Sequence, residues 1–314
     1  MRRLFLIVLC VLALACVCAQ EKVEMLPFGN MDAWAVRYIK ESFILGGDIK
    51  AHYSIAPQQT INGPTPLPKR GNSPWGTSNA YAKVLGVETV SNSVTPEKRG
   101  NGYCCKMETR MHTINAIGIN FSAITTGSIF TGITAEPMTT EFTTDPRSAI
   151  NIGVPFKRRP KALILDYKTK IVNGQVVCAN GTSVVNKPNV KDAAQITLLL
   201  QHRWEENGHI YAYRVGTASE RISKSTNGWV NDHRIDVRYG DITSESNYKS
   251  WEALSKRTHK ARNKNGKMVF IEEKGFKADV EPTHIIIMIS SSCLPPFTGC
   301  VGNTIWCDNI RLAY

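Results

Sequence analysis

Short β-patterned runs recur along the chain and leave room for little else. Tyr103–Arg110, Ala116–Ala123, Ala162–Lys168, Gln195–Arg203, Ile210–Val215, Trp229–Val237, Met268–Glu273, Ile285–Ser290 and Thr304–Ala313 each span 6–10 residues, with Gly, Pro, Asn or Asp at their boundaries. Alternation or β-branched enrichment on that length scale, punctuated by turn formers, predicts strands. No heptad run, internal repeat or βαβ alternation accompanies them. The pattern predicts an all-β fold, a two-sheet sandwich or jelly roll with loop insertions and little helix. At 42% hydrophobic and 20% charged residues the chain is too apolar to be disordered.

The first twenty residues stand apart. Arg2 and Arg3 precede an apolar run, Leu4–Val17, and Val17 and Ala19 suit cleavage before Gln20. Residues 1–19 therefore read as a secretory signal peptide. The rival is a lipoprotein signal ending at Cys16, after Ala13-Leu14-Ala15. No later run reaches 18 apolar residues, so no transmembrane segment is expected. The mature protein is expected to be exported, whether periplasmic, secreted or held at the outer-membrane surface. Of nine cysteines, Cys104, Cys105, Cys178, Cys293, Cys300 and Cys307 lie beyond the leader. An even number in an oxidising compartment permits disulfides, and the sequence assigns no pairing. Cys104 and Cys105 neighbour each other on a predicted strand and should face opposite sides.

Residues 20–314 read as a single β-sandwich domain. Met31–Glu41 suits a short helix or an amphipathic strand. Ser246–Lys267 reads as a polar, partly helical insertion, and Pro57–Pro74 as a long surface loop. In Thr304–Ala313, strict alternation puts Trp306, Ile310 and Leu312 on one face, with Asp308 interrupting it. A carboxylate on an apolar face requires a partner, because burying an unpaired charge is costly.

Three segments carry the most information: Gly29-Asn30-Met31-Asp32-Ala33-Trp34, Lys98-Arg99-Gly100-Asn101-Gly102-Tyr103, and Trp306-Cys307-Asp308-Asn309-Ile310-Arg311-Leu312. Their order resembles that of galactose-binding-type jelly rolls, with Asp32 near the usual Glu region and Asp308-Asn309-Ile310 in place of D-D-V. Further segments are similar to those of the exported bacterial putative carbohydrate metabolism domain (PCMD) family. These are Ser73–Asn79 (W-x-T-x-N), Lys106–Arg110, Ile129–Gly132 (F-T-G), Gly153–Pro160 with Asp166-Tyr167-Lys168, and Ile287–Ser292. The resemblance runs from about residue 28 to the C-terminus and implies a β-sandwich that binds or acts on glycans. The basic charge, the six cysteines and the Ser246–Lys267 insertion depart from the pattern.

Several site expectations follow. Trp75 with Thr77 and Asn79 offers an aromatic face and polar rim suited to a sugar, or else plugs the sandwich edge. Arg159, in the Lys157-Arg158-Arg159 run, could contact a glycan or pair with a buried carboxylate such as Glu108. Asn30, Asp32 and Asp308 could hold a structural Ca²⁺ stapling the chain ends, or serve as caps. The formal charge of +12 suits an anionic glycan, or simply a solvated basic face; no nucleic-acid module is recognisable.

Catalysis is the competing class. Hydrolysis needs two carboxylates across a cleft, and Glu108, Asp145, Asp166, Glu205, Glu206 and Asp236 are candidates that spacing does not pair. A polysaccharide lyase would draw on Gln201-His202-Arg203 with Tyr211 or Tyr213. A structural or adhesin component of a surface assembly is a third reading. Non-catalytic glycan binding is the primary expectation.

Overall fold

The structure is a computed structural model and describes residues 21–314, apart from 85, 117, 118 and 140–144. The leader, including Cys16, lies outside the described residues. Among the described residues the only helical turns are the short 3-10 segments Phe43–Leu45, Pro146–Ala149 and Ser250–Glu252; everything else regular is strand. Among these residues no helix is long and apolar enough to cross a membrane.

Two sheets pack face to face. The first runs Val230–Asp236, Ala162–Lys170, Thr304–Ala313, Gly102–Glu108, Val94–Arg99, with Val23–Met25 added beside Thr304–Ala313. The second is ten-stranded and centres on His284–Ser290, Ala194–Glu206 and His209–Ile222. Leu163, Leu165, Ile305, Cys307, Ile310 and Leu312 from the first meet Ile196, Leu198, Leu200, Ile285, Ile287 and Ile289 from the second in one core. This is the sandwich the strand pattern predicts.

The unbroken apolar run Ile285-Ile286-Ile287-Met288-Ile289 has a specific cause. Its odd-numbered members enter the sandwich core, while Ile286 joins a second cluster on the sheet's far face with Phe130, Leu199, Ile210 and Ile271. A strand buried on both faces has no polar side to show. Its neighbours Ala194–Glu206 and His209–Ile222 form a long hairpin closed by Asn207-Gly208, both with positive φ. That geometry is what a two-residue turn between right-twisted strands requires.

Met31–Glu41 resolves as a strand, Trp34–Lys40, paired antiparallel with Ile49–Ile55. Pro57–Pro74 is a loop only in part: Gln59–Asn62 pairs in parallel with Trp34–Lys40. The chain ends do lie side by side, with Val23 opposite Ala313 and Met25 opposite Arg311. The single alternating face read for Thr304–Ala313 is wrong. Ile305 and Cys307 face the core, and so do Ile310 and Leu312. Asn309, at φ +51°, inserts a bulge between them and switches the parity. Trp306 and Asp308 therefore point to the outer face.

Candidate functional site

Of the residues expected to grip a sugar, Trp75, Thr77 and Asn79 are buried in the framework. Trp75 is 1% exposed, with its indole N–H on the Pro27 carbonyl at 2.9 Å. Thr77 is buried, and Asn79 accepts from the backbone N–H groups of Ser93 and Val94 while donating to the Tyr53 and Val94 carbonyls. The cause is strand pairing: Trp75–Thr77 lies against Thr131–Ile129, placing Gly76 opposite Phe130. A Cβ at Gly76 would stand 2.5 Å from the Phe130 ring, so the W-G-T and F-T-G motifs interlock at close range. Arg159 is exposed, stacked on Tyr239 at 4.4 Å, and donates to the Ala278 and Val280 carbonyls. It does not meet Glu108, which takes Arg110 at 2.8 Å.

The expected cation ligands lie near one another, with Asp32 close enough to raise the Asp308 carboxyl, and each is bonded to protein donors. Asp32 accepts from Asn30 at 2.9 Å and from the Tyr103 N–H at 2.8 Å. Asp308 receives Arg99 at 2.6 Å and the Asn309 N–H at 2.8 Å. Arg99 also bonds Asp166 at 2.9 Å, on the strand opposite Asp308, and stacks on Trp229 at 3.8 Å. The positive charge that Asp308 needs is thus a guanidinium. No group of three His, Cys, Asp or Glu placed to hold a metal occurs among the described residues, and Asp32 and Asp308 both accept from protein donors.

Burial pushes the Asp308 carboxyl up despite Arg99. Burial also raises Asp166, but Asn309, the Asp232 N–H and Arg99 together outweigh it and hold that carboxyl down. Opposite shifts on neighbouring carboxylates resemble an acid and base pair. Here their oxygens are occupied by Arg99, Asn309, Arg311 and backbone N–H groups, so the cluster is a satisfied ion network.

Strand alternation also splits the Gln201-His202-Arg203 constellation. Gln201 is fully buried and donates to Glu273 at 2.7 Å, and Arg203 donates to Gln201 at 2.8 Å. His202 lies on the other face, at the Glu281 carbonyl, opposite Tyr213. Burial pulls Arg203 down to about 9, and its Nη2 has no hydrogen-bond partner.

What remains open is a groove of about 1070 Å³ on the far side of the ten-stranded sheet. Phe130, Ile152, Met288, Ser290, Gln195 and Arg221 come from that sheet. The wall beyond includes Trp251 and His259, and residues of the hairpin Arg110–Ala116 with Ile119–Thr125.

Its polar groups are mostly engaged. Glu41, the single carboxylate among the described lining residues, holds Lys50 at 2.7 Å, Thr89 at 2.6 Å and the Val90 N–H. Burial raises the Glu41 carboxyl, but these three partners outweigh it and hold it below the usual range. Arg147 and Lys260 both reach Asp145.

Arg221 differs from the other cations. It sits opposite Gln195, donating Nε to that amide at 3.0 Å, and its guanidinium lies 4.5 Å from the Trp251 ring. No carboxylate of the described residues pairs with it. Trp251 is 37% exposed. The Ser250–Glu252 turn presents Trp251, because the adjacent Glu252 is buried on Arg238 and accepts the Lys249 N–H. The sequence alone did not mark Trp251, Arg221 or Gln195 as site residues. The signal was a tryptophan within an otherwise basic, polar insertion.

The PCMD (putative carbohydrate metabolism domain) family matches residues 50–313. The chain belongs to the PCMD family. The match covers the framework motifs and the groove-lining residues other than Glu41, Ile44 and Leu45, and begins after the Gly29–Trp34 segment. Two solved structures are similar to this PCMD chain. One, described as a putative glycoside hydrolase from Bacteroides thetaiotaomicron, is 17% identical at TM-score 0.49, covering 86% of this chain and 76% of the other. The second, a putative glycoside hydrolase from Bacteroides vulgatus, is 15% identical at TM-score 0.43, covering 93% and 94%. No curated protein matches.

Proposed function

We propose that this PCMD protein is an exported glycan-binding module whose ligand lies in the groove beside Trp251. The anionic group of a uronic or sulfated sugar sits at Arg221, and the sugar's C–H face packs near the indole. The observation that carries this reading is Arg221 itself: a groove-lining cation stacked on a tryptophan, bonded to an amide, with no carboxylate from the described residues. A guanidinium suits carboxylate and sulfate geometry, and an aromatic face suits a sugar's apolar side. Binding is favoured over hydrolysis because Glu41 is already committed to Lys50, Thr89 and Val90, whereas hydrolysis uses two free carboxylates. Export rests on the leader pattern of residues 1–19, and N-terminal sequencing distinguishes a mature end at Gln20 from one at Cys16.

Calorimetry with acidic and neutral polysaccharides tests the site. Acidic chains should bind, Arg221→Gln should weaken them at least tenfold, and Trp251→Ala should weaken any ligand. Absence of binding to all glycans, or unchanged affinity in both variants, refutes the assignment. New reducing ends or ultraviolet absorbance of unsaturated uronates during incubation would establish catalysis instead.

A further inference from the structure

The strand register sets two of the six cysteines directly against each other. Cys307, on Thr304–Ala313, is the antiparallel partner of Cys105, on Gly102–Glu108. Both are 0% exposed and face the sandwich core, near enough for each sulfur to feel the other's charge. In this structure both are thiols.

No other registered cysteine is placed so well. Cys104 turns to the opposite face, with its sulfur at the Glu97 carbonyl. Cys178 and Cys300 lie on paired strands, but Cys178 opposes Thr298 and Cys300 opposes Val176. That diagonal stagger puts Cα atoms roughly 7–8 Å apart, beyond the reach of an unstrained bridge. Residues directly opposite in an antiparallel pair have Cα atoms roughly 4.5–5.5 Å apart, inside the permitted range.

We infer that Cys105 and Cys307 close a cross-strand disulfide when the chain folds under oxidising conditions. The oxidant is a small or protein disulfide. One cysteine thiolate attacks it, forming a mixed disulfide and releasing one thiol. The second thiolate then displaces the other half. Two protein thiols lose two electrons and two protons, and the oxidant is reduced to two thiols. The step belongs to folding: burial pushes the Cys307 thiol well up, and the thiolate is the nucleophile. The bridge joins the C-terminal strand to the chain across roughly 200 residues, a long closure that restricts the unfolded ensemble strongly. It also clamps the strand immediately before the Asp308-Asn309 bulge.

The test is refolding of residues 20–314 from denaturant with reduced and oxidised glutathione. Alkylation under denaturing conditions and non-reducing peptide mapping follow. Chymotryptic cleavage after Phe297 and Trp306 separates Cys307 from Cys293 and Cys300. The expected product links Cys105 to Cys307, survives in Cys104→Ser and is absent in Cys307→Ala. Its reduction should lower Tm by roughly 5–10 °C. Alkylation of both cysteines in the refolded protein, or a Cys307 link that disappears in Cys104→Ser, overturns the inference. If Cys307→Ala fails to fold, the peptide map of Cys104→Ser still decides.

Discussion

Arg99 crosses the outer face of the six-stranded sheet and donates to Asp308 at 2.6 Å. Asp308 stands opposite Asp166 on the adjacent strand, and the same guanidinium serves both carboxylates. Removing the cation leaves two mostly buried charges without it. Arg99→Met is expected to destabilise the fold by about 3 kcal/mol, the lower end for breaking a buried ion cluster because Arg99 retains some solvent contact. Urea denaturation measures this, and a loss below about 1 kcal/mol would show the network to be dispensable.

Calcium should be irrelevant to that stability. The Asp308 carboxylate is held by Arg99, and Asp32 by Asn30 and the Tyr103 N–H. Tm is therefore expected to be the same in excess Ca²⁺ and in chelator. A ligand bound only to the native state must raise Tm, so a rise with Ca²⁺ would restore the cation site.

Trp75→Phe separates framework from site. It removes the indole bond to Pro27 and part of a fully packed side chain, with an expected cost of about 1–3 kcal/mol. Affinity for an acidic glycan should stay within twofold of wild type when measured well below Tm. A tenfold loss would return Trp75 to the binding surface.

Acid should weaken the fold before the carboxylates titrate. Burial pulls His259 down to about 4, against a smaller upward pull from Glu273, and burial together with Arg203 pulls His284 to about 4. The unfolded chain binds these protons near pH 6.5 and the folded chain does not. Their contribution is thus complete above pH 6.5 and lost as pH falls toward 4, on the order of 2–3 kcal/mol for His259. Below that, Glu41 and Asp166 add to the loss, while Asp308, whose carboxyl is raised, opposes it. Urea midpoints from pH 7.5 to 4.5 should decline, and less steeply in His259→Leu. A flat profile in wild type contradicts this account.

Much of the fold was legible along the chain because a strand's side-chain period is local. Ala162–Lys168, Ile285–Ser290 and Thr304–Ala313 sit within a residue or two of their observed bounds. The requirement that Asp308 find a partner followed from burial cost alone, though not that the partner is Arg99. The PCMD motifs were readable too, but they marked interlocking framework strands: Gly76 against Phe130, and Thr109 bonded to Ser291 at 2.8 Å.

The sequence by itself determined the β class, the rough strand positions and the excess of positive charge, since each depends on composition or on neighbours a few residues apart. Tertiary structure alone decided which residues of Thr304–Ala313 face the core, through the bulge at Asn309. It also decided that Trp75 is enclosed while Trp251 is half-open, and that Arg221 lines the groove with no carboxylate of the described residues paired to it. Those outcomes depend on pairing between segments far apart in the chain, where register and burial are set jointly by both partners and by neither alone.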